Sequence, residues 1–325
     1  MTEPYWRTLL GEMRLGDALW TLGDVPAESV DLIMTSPPFA LVTQKRYGNA
    51  RADDYLEWFR AFAILFRRLL KPTGSLVIDM GGGWNRGQPT RSLVHLKLPI
   101  MLVEEYDFVL CQEFYWWNPS KLPTPAEWVT VRRVRVKDAV DPVWWLSRSP
   151  YPKADNRRVA WPYSERMQAL LSNGETNTNR PSGHELGRAH WNDRGSAISP
   201  NLIALPNTES NGAYQQYCRE HNLTMHPARF PAALPEYFIR MCTDAGDLVL
   251  DPFAGSCTTG AVCERLKRRW ICCDDVEEYL AGAVGRFSGR NERAAGRYYQ
   301  VPGPGLLWED DTAGTLATGE RRKLG

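Results

Sequence analysis

The sequence lacks several features that would assign the chain to a broad class at once. No apolar run approaches the roughly 20 residues that span a membrane, so no membrane association is expected. The first residues lack the basic start and apolar stretch of a secretory signal. The seven cysteines show no C-x-x-C spacing, which argues against zinc and, with their odd number, predicts a reducing cytoplasmic location. A net charge of +1 gives no overall sign of a nucleic-acid partner.

Alternating strand and helix patterns run through most of the 325 residues. Apolar runs predict strands at 30–35, 75–79, 108–116, 248–251 and 270–273, and helical spacing predicts helices at 53–70, 92–106, 235–243, 258–266 and 276–287. This alternation predicts a doubly wound α/β sheet. It is interrupted by a polar loop at 40–52 and breaks down between about 150 and 223, where proline, glycine, asparagine and serine dominate.

The most informative segment is Thr-Ser-Pro-Pro-Phe at residues 35–39, directly after an apolar strand. Two consecutive prolines end strand pairing because neither has an N–H to donate. The strand end is therefore stiff, and open α/β sheets bind ligands at this edge. A hydroxyl, carbonyl oxygens and an aromatic ring in such a corner suit a planar base with an exocyclic amino group. Taken alone, the motif is also compatible with an ordinary Pro-Pro loop.

A second motif, at residues 248–260, weakens that alternative. Leu-Val-Leu-Asp-Pro-Phe-Ala-Gly-Ser-Cys-Thr-Thr-Gly indicates a buried strand, a tight turn of small residues and the start of a helix. This arrangement delivers backbone N–H groups and a helix N-terminus to a polar ligand. Together, the two motifs resemble the target-base and cofactor motifs of the amino-methylating DNA methyltransferases. Ser-Pro-Pro-Phe is the cytosine-N4 form of the first motif.

The resemblance covers the chain up to about Phe287 and implies the permuted β-group order, with the base motif first. It implies a Rossmann-like, S-adenosylmethionine-dependent fold with a loop-rich insertion, similar to the methyltransferases of type II restriction–modification systems. We expect a catalytic half at 1–150, a target-recognition region at 151–222, a cofactor-binding half at 223–290 and a partly disordered tail at 291–325. Double-stranded DNA is the implied substrate, and a cognate restriction endonuclease is the implied functional partner.

Candidate ligands of S-adenosylmethionine surround the second motif. A carboxylate after the following strand can hold both ribose hydroxyls, which assigns Asp274, with Asp275 as the alternative one position away. The resemblance implies Asp17 as a partner of the adenine amino group and Phe230 as a residue beside the adenosine or methionine portion. The predicted set is Asp17, Phe230, Asp251, Pro252, Phe253, Ala254, Gly255, Ser256 and Asp274. Cys257 replaces a glycine of many relatives, so this position is expected to accommodate a Cβ.

Cytosine N4 is a poor nucleophile because its lone pair is delocalised into the ring. We assign Ser36 Oγ and the Pro37 carbonyl as acceptors for its hydrogens, and we expect Phe39 to stack on a base that has left the helix. Asp79 ends the adjacent predicted strand and is expected to receive the proton or to orient Ser36. The predicted catalytic set is Ser36, Pro37, Pro38, Phe39 and Asp79, without a metal.

A basic run stands out against the nearly neutral chain. Residues 121–137 hold five basic side chains and one acid, Glu127. Such a run can neutralise phosphates, although a solvated strand face has the same pattern. The predicted DNA-binding residues are Lys121, Arg132, Arg133 and Arg135, with Lys137 beside them.

Four other functions compete with this interpretation. Cytosine-C5 methylation is disfavoured because the chain has no Pro-Cys, where that family places its nucleophile. Adenine-N6 methylation is the nearest alternative, since its enzymes usually carry Asp or Asn before the prolines. A dinucleotide oxidoreductase would share the strand, turn and helix, but residues 255–260 do not fit G-x-G-x-x-G. A non-enzymatic DNA-binding module would not need both motifs, and no helix-turn-helix or zinc pattern supports it.

Overall fold

One mixed sheet organises the part of the chain that the structure describes. The structure is a computed structural model and describes residues 3–39, 54–173 and 193–287. Within these residues, nine strands form one sheet in the order β1-β2-β9-β8-β3-β4-β6-β5-β7. The strands are β1 (Trp6–Arg7), β2 (Gly11–Leu15), β3 (Val30–Thr35), β4 (Leu70–Asp79), β5 (Val109–Trp117), β6 (Val140–Ser147), β7 (Leu202–Ala204), β8 (Leu248–Asp251) and β9 (Arg269–Asp274).

The central strands β2, β9, β8, β3 and β4 are parallel, and β6 runs antiparallel to β4 and β5. Parallel strands need crossover connections, which here place helices on both faces of the sheet. In the described ranges these are α1 (Ala18–Thr21), α2 (Tyr55–Leu69), α3 (Val94–Tyr106), α4 (Glu165–Asn173), α5 (Ala213–Glu220), α6 (Ala233–Cys242), α7 (Thr258–Arg265) and α8 (Glu277–Ala283). None of these helices has the length and hydropathy that crossing a membrane requires.

Side-chain alternation along the strands divides the core into two layers. In β4, Leu76 and Ile78 join a buried cluster with α1, α2 and α3, whereas Val77 joins the cluster on the opposite face with α6 and α7. Successive strand residues point to opposite faces, so one apolar strand supplies both layers. The predicted doubly wound α/β sheet is confirmed.

Two features of the sheet differ from the sequence prediction. β6 is not predicted because Pro142 argues against an interior strand, yet β6 lies between β4 and β5. Its proline still accepts a hydrogen bond at its carbonyl from Met80 N, at 3.0 Å. β4 starts at Leu70, directly after α2, so the Lys-Pro-Thr-Gly segment at 71–74 ends the helix and also opens the strand.

The segment 151–222 is partly built into this sheet. Its strand β7 pairs with β5, and a 3-10 turn at Asn156–Val159 lies against α6. The central part of the segment, the whole predicted polar loop at 40–52 and the tail from 291 lie outside the described residues. The division into halves, recognition region and tail stays a prediction.

The strand directions place the candidate residues at one edge of the sheet. The parallel strands β9, β8, β3 and β4 all end there, with Asp274, Asp251, Thr35 and Asp79 as their last residues. Because β6 is antiparallel, its beginning lies at the same edge and brings Asp141 there. This is the edge at which open α/β sheets bind their ligands.

Candidate active site

A cavity of about 470 Å³ opens at this edge of the sheet. Both sequence motifs line it, together with residues from β5, β6 and the segment before α6. The lining includes Asp17, Ser36, Pro37, Pro38, Phe39, Trp58, Phe62, Asp79, Asn118, Lys121, Asp141, His226, Arg229, Phe230, Pro252, Phe253, Ala254, Gly255, Ser256, Asp274 and Asp275. The two predicted half-sites are therefore one continuous space.

Asp251 organises the turn after β8 from below the cavity. Its carboxylate accepts hydrogen bonds from Thr35 Oγ1 at 2.8 Å, Thr259 Oγ1 at 2.6 Å and Phe253 N at 3.2 Å. It is 1% exposed and does not line the cavity, and burial raises its pKa to about 6. Asp251 therefore orients the turn, and its assignment as a cofactor contact stays a prediction.

The turn itself is tightly packed at Gly255 and Cys257. Gly255 has a φ of +50°, and a Cβ there would lie 2.9 Å from His226 Nε2, so the position requires glycine. Cys257 also adopts left-handed backbone, with a φ of +53°, and its side chain is fully buried. The expectation that this position accommodates a Cβ agrees with the structure, and the left-handed conformation explains why glycine suits it.

Asp274 links the turn to the end of β9. Its carboxylate accepts hydrogen bonds from Gly255 N at 2.7 Å and from Val276 N at 3.0 Å. Burial raises its pKa to about 6, and these two backbone bonds oppose the shift. Asp275 is exposed and also lines the cavity. Both candidates for the ribose contact therefore reach the site, and the choice of Asp274 stays a prediction.

Three residues on the cofactor side are not predicted by the sequence, two in the cavity wall and one behind it. Phe253 packs against Trp58 and Phe62 of α2, with ring centroids 5.7 and 4.9 Å apart. Arg286 is buried and donates from Nε to the Ser256 carbonyl at 2.6 Å, which fixes the turn from behind. The amphipathic pattern of α2 could have located the two aromatic residues, whereas nothing local marks Arg286.

His226 closes the cavity above Gly255. Its backbone N donates to Tyr214 Oη at 2.7 Å, and its ring packs edge-on against Tyr279 with centroids 4.5 Å apart. Burial lowers the pKa of His226 to about 4, so the imidazole is neutral at pH 7. Phe230 and Asp17 line the same cavity, and Asp17 also caps α1 through a 2.8 Å bond from Leu19 N.

The base side of the cavity centres on Asp79. This residue is 2% exposed, and a hydrogen bond joins its carboxyl to the Ser36 hydroxyl. Its Oδ1 atom has no hydrogen-bond partner among the described residues. Burial and the neighbouring Asp141 hold the pKa of Asp79 well above its usual range, while Lys121 and Ser36 oppose that shift. Buried oxygen atoms normally accept a hydrogen bond, so we expect Asp79 Oδ1 to accept one from a group that enters the cavity.

Lys121 lies in the cavity wall, and its predicted phosphate contact stays a prediction. Its Nζ pairs with both oxygens of Asp141 at 2.8 and 2.7 Å. Gly81 allows the close approach of Asp141 and Phe39, because a Cβ there would lie 2.8 Å from Asp141 Oδ1 and 2.6 Å from the Phe39 ring. Asp141 is not predicted, since its strand is not.

The other basic residues lie outside the cavity. Arg132 is exposed, pairs with Glu127 at 2.7 Å and stacks on Trp128 at 5.0 Å. Arg135 stacks on Trp84 at 3.7 Å and donates to the Pro89 carbonyl at 3.0 Å. Arg133 is exposed. In the described ranges, no group of His, Cys, Asp and Glu side chains is arranged to hold a metal ion.

The fold and the cavity define an α/β protein with one cavity at a sheet edge, lined by residues of both motifs. A family model described as DNA methylase matches residues 30–284. The chain is 47% identical over 292 residues to the type II methyltransferase M.PvuII of Proteus hauseri, covering 89% of this chain and 87% of that protein. It is 25% identical over 287 residues to the type II methyltransferase M.BglII of Bacillus subtilis, covering 86% and 69%.

Solved structures agree with these sequence matches. The PvuII DNA methyltransferase, described as cytosine-N4-specific, has a TM-score of 0.73 and 42% identity and covers 89% of this chain and 90% of its own. The modification methylase TTHA0409 of Thermus thermophilus, complexed with S-adenosyl-L-methionine, has a TM-score of 0.51 at 22% identity and covers 85% and 92%. The second likeness shows the fold alone. The chain belongs to the DNA methylase family, as its two motifs predict.

Proposed function

We propose that the chain transfers a methyl group from S-adenosylmethionine to the exocyclic N4 of a flipped cytosine in duplex DNA. The observation that carries this function is the single cavity, in which the Ser-Pro-Pro-Phe corner and the Gly255 turn face one common space. Methyl transfer requires the donor carbon and the acceptor nitrogen to meet in line. The cytosine specificity is supported by Ser36 and by the description of the PvuII enzyme.

The cofactor side fits an adenosine-containing methyl donor. The small residues Ala254, Gly255 and Ser256 line the cavity, so ligand atoms can approach the backbone of the turn. Phe253 and Phe230 offer apolar surface, and Asp274 or Asp275 offers a carboxylate for ribose hydroxyls. When bound, S-adenosylmethionine supplies a methyl carbon that is already activated on a sulfonium sulfur. The chain's own residues then have to hold and orient both reactants.

The base side fits an amino group. The Ser36 hydroxyl donates to Asp79, so its lone pairs stay available to accept a hydrogen from N4. The Pro37 carbonyl and the unpartnered Asp79 Oδ1 are further acceptors at the same corner. Such acceptors favour a pyramidal nitrogen with a localised lone pair. As the C–N bond forms and the C–S bond breaks, N4 releases a proton, which Asp79 receives.

The DNA duplex lies over this opening in our proposal. Exposed Arg132 and Arg133 contact phosphates, and Arg135, stacked on Trp84, contributes at the same surface. Phosphate contacts position a duplex without reading its sequence. Replacing Arg132 and Arg133 by Gln should therefore weaken binding to all duplexes alike and reduce the slope of log K against log salt by roughly 2. Unequal losses on different duplexes would contradict a phosphate role.

We further propose that residues 151–222 read the target sequence and that a restriction endonuclease recognises the same site. The first claim is supported by the irregular composition of this segment, and the second by the two type II relatives. Because β7 belongs to the sheet, a segment exchange with a relative should stop before Leu202. Sequencing of methylated positions should then show a new site with N4 chemistry unchanged. Retention of the original site would place recognition elsewhere, first in the loop at 42–51.

Labelled S-adenosylmethionine and duplex DNA, followed by nucleoside analysis, test the main proposal. Label in N4-methylcytosine is the expected result. Label in N6-methyladenine would show that the alternative base is the target, and an absence of labelled nucleoside would contradict DNA methylation. Ser36→Ala provides the matched variant, since it removes one acceptor on the base side and leaves the cofactor turn intact.

A further inference from the structure

The base side of the cavity holds an ion pair to which neither motif assigns a role. Lys121 Nζ lies 2.8 Å from Asp141 Oδ1 and 2.7 Å from Oδ2, and the side chains are 29% and 11% exposed. Both residues line the same cavity as Ser36 and Asp79. A neutral base has to enter a space whose wall carries these charges.

The pair is held in place from both sides. Lys121 N donates to the Asn118 carbonyl at 3.2 Å, and the Lys121 carbonyl accepts from Lys137 Nζ at 3.1 Å. Asp141 occupies the start of β6, whose next residue, Pro142, accepts from Met80 N beside Asp79. The positions of the ammonium and the second carboxylate are therefore fixed relative to the end of β4.

Three groups act on Asp79 in the part of the chain that the structure describes, and each comes from a different element. Ser36 follows β3 and donates a hydrogen bond to it; Asp141 of β6 repels its ionised form; Lys121, after β5, attracts that form. Two neighbouring buried carboxyls cannot both ionise easily without a cation between or beside them. Lys121 is the cation that this corner supplies.

We propose that Lys121 and Asp141 are positioning residues for methyl transfer, and that their ion pair sets the charge on Asp79 so that this carboxyl can accept the N4 proton. Asp141 anchors the ammonium, and the ammonium favours the ionised form of Asp79. No bond is made or broken by the pair itself. The inference rests on the proposed role of Asp79 and goes beyond it.

The test is the pH dependence of the single-turnover methylation rate, which separates the chemical step from product release. The rate should fall on the acid side as Asp79 becomes protonated. We call this fall the acidic limb. Lys121→Met removes the attraction between the ammonium and ionised Asp79, so the midpoint of the limb should move to a higher pH by about 1 unit. Asp141→Asn removes the repulsion between the two carboxylates, so the midpoint should move to a lower pH. Lys121→Arg keeps the charge and should return the limb toward its native position.

Lys71→Met is the matched control. Lys71 Nζ pairs with both oxygens of buried Asp31 at 2.8 Å, in the same geometry, but at the opposite edge of the sheet. Breaking that pair should lower stability and leave the acidic limb unmoved. S-adenosylmethionine affinity and melting temperature confirm that each variant is folded, and Lys121→Gln replaces Lys121→Met if the latter does not fold.

The outcomes separate this inference from the role of Asp79 itself. A normal rate for Asp79→Asn would overturn the assignment of Asp79 as proton acceptor. The role of Asp79 requires that Asp79→Asn be slow and lose the acid-side fall of the pH profile. If it does so, but Lys121→Met and Asp141→Asn leave this fall at its native pH, or both shift it in the same direction, only the ion-pair inference is overturned. Opposite shifts, absent in Lys71→Met, are the result that we predict.

Discussion

The carboxyls on the two sides of the cavity differ in how many hydrogen bonds their oxygens accept. On the cofactor side, Asp251 accepts three hydrogen bonds and Asp274 accepts two from the backbone. On the base side, Asp79 keeps one oxygen without a partner in the described ranges, and a second carboxyl, Asp141, lies close by. Burial raises the pKa of Asp79, Asp251 and Asp274 alike.

A raised pKa therefore does not by itself identify a reacting group. Desolvation affects every buried carboxyl, but only one with an unused acceptor has something left to offer a substrate. The internal bonds of Asp251 and Asp274 hold the turn in shape, Asp274 keeps room to accept from ribose hydroxyls, and the incompletely bonded Asp79 is available for proton transfer. Variants on the two sides should therefore fail in different ways.

The largest effect is expected from the base side. Asp79→Asn should lower turnover by at least about 100-fold, because it removes the proton acceptor. The affinity for S-adenosylmethionine should stay near its native value, since Asp79 ends β4 beside Ser36, Asp141 and Lys121 on the base side. Titration calorimetry and methylation assays measure the two quantities in parallel. Equal losses of affinity and turnover would show that the two sides are not separate.

Asp251→Ala should fail by unfolding. Thr35, Thr259 and Phe253 N each lose their buried acceptor, which should destabilise the fold by about 3 kcal/mol. Chemical denaturation measures this loss, and Asp275→Ala, at an exposed position, is the control that should leave stability unchanged. Native stability with a selective loss of turnover would instead give Asp251 a chemical role.

Asp274→Ala should chiefly weaken cofactor binding, by roughly 1.5–3 kcal/mol, because charge-assisted bonds to two ribose hydroxyls are lost. Binding favours the ionised carboxyl, so the pKa of about 6 should fall in the complex, and native affinity should increase as pH rises through this value. Asp274→Asn should abolish that step in calorimetric titrations around pH 6. If Asp275→Ala shows these losses and Asp274→Ala does not, the ribose contact belongs to Asp275.

The smallest effect is expected at Cys257. Cys257→Gly relieves a left-handed side-chain position but loses the buried sulfur, so the free energy of unfolding should change by no more than about 1 kcal/mol. Turnover and cofactor affinity should be unchanged. A large loss of affinity would show that the thiol, and not only the backbone turn, shapes the cofactor side.

The sequence predicted those parts of the site that depend on local chain chemistry. The Ser-Pro-Pro-Phe corner and the Gly255 turn each follow an apolar strand, and Asp79 ends another. Their place at the sheet edge could therefore be predicted from the strand pattern. Asp141 and Arg286 could not be predicted in this way. Asp141 lies on an antiparallel strand, β6, which Pro142 makes hard to predict. Arg286 contacts Ser256, which lies 30 residues earlier in the chain. Lys121 was assigned from charge alone, and charge does not show whether a lysine faces solvent or a cavity.

The most direct test is a structure of the chain with duplex DNA and a cofactor analogue that cannot transfer its methyl group. We predict a flipped cytosine whose N4 lies about 3 Å from both Ser36 Oγ and Asp79 Oδ1, with Asp251 still bonded to its three internal donors. A cytosine whose N4 contacts neither Ser36 nor Asp79 would show that the incompletely bonded carboxyl is not the group that meets the base.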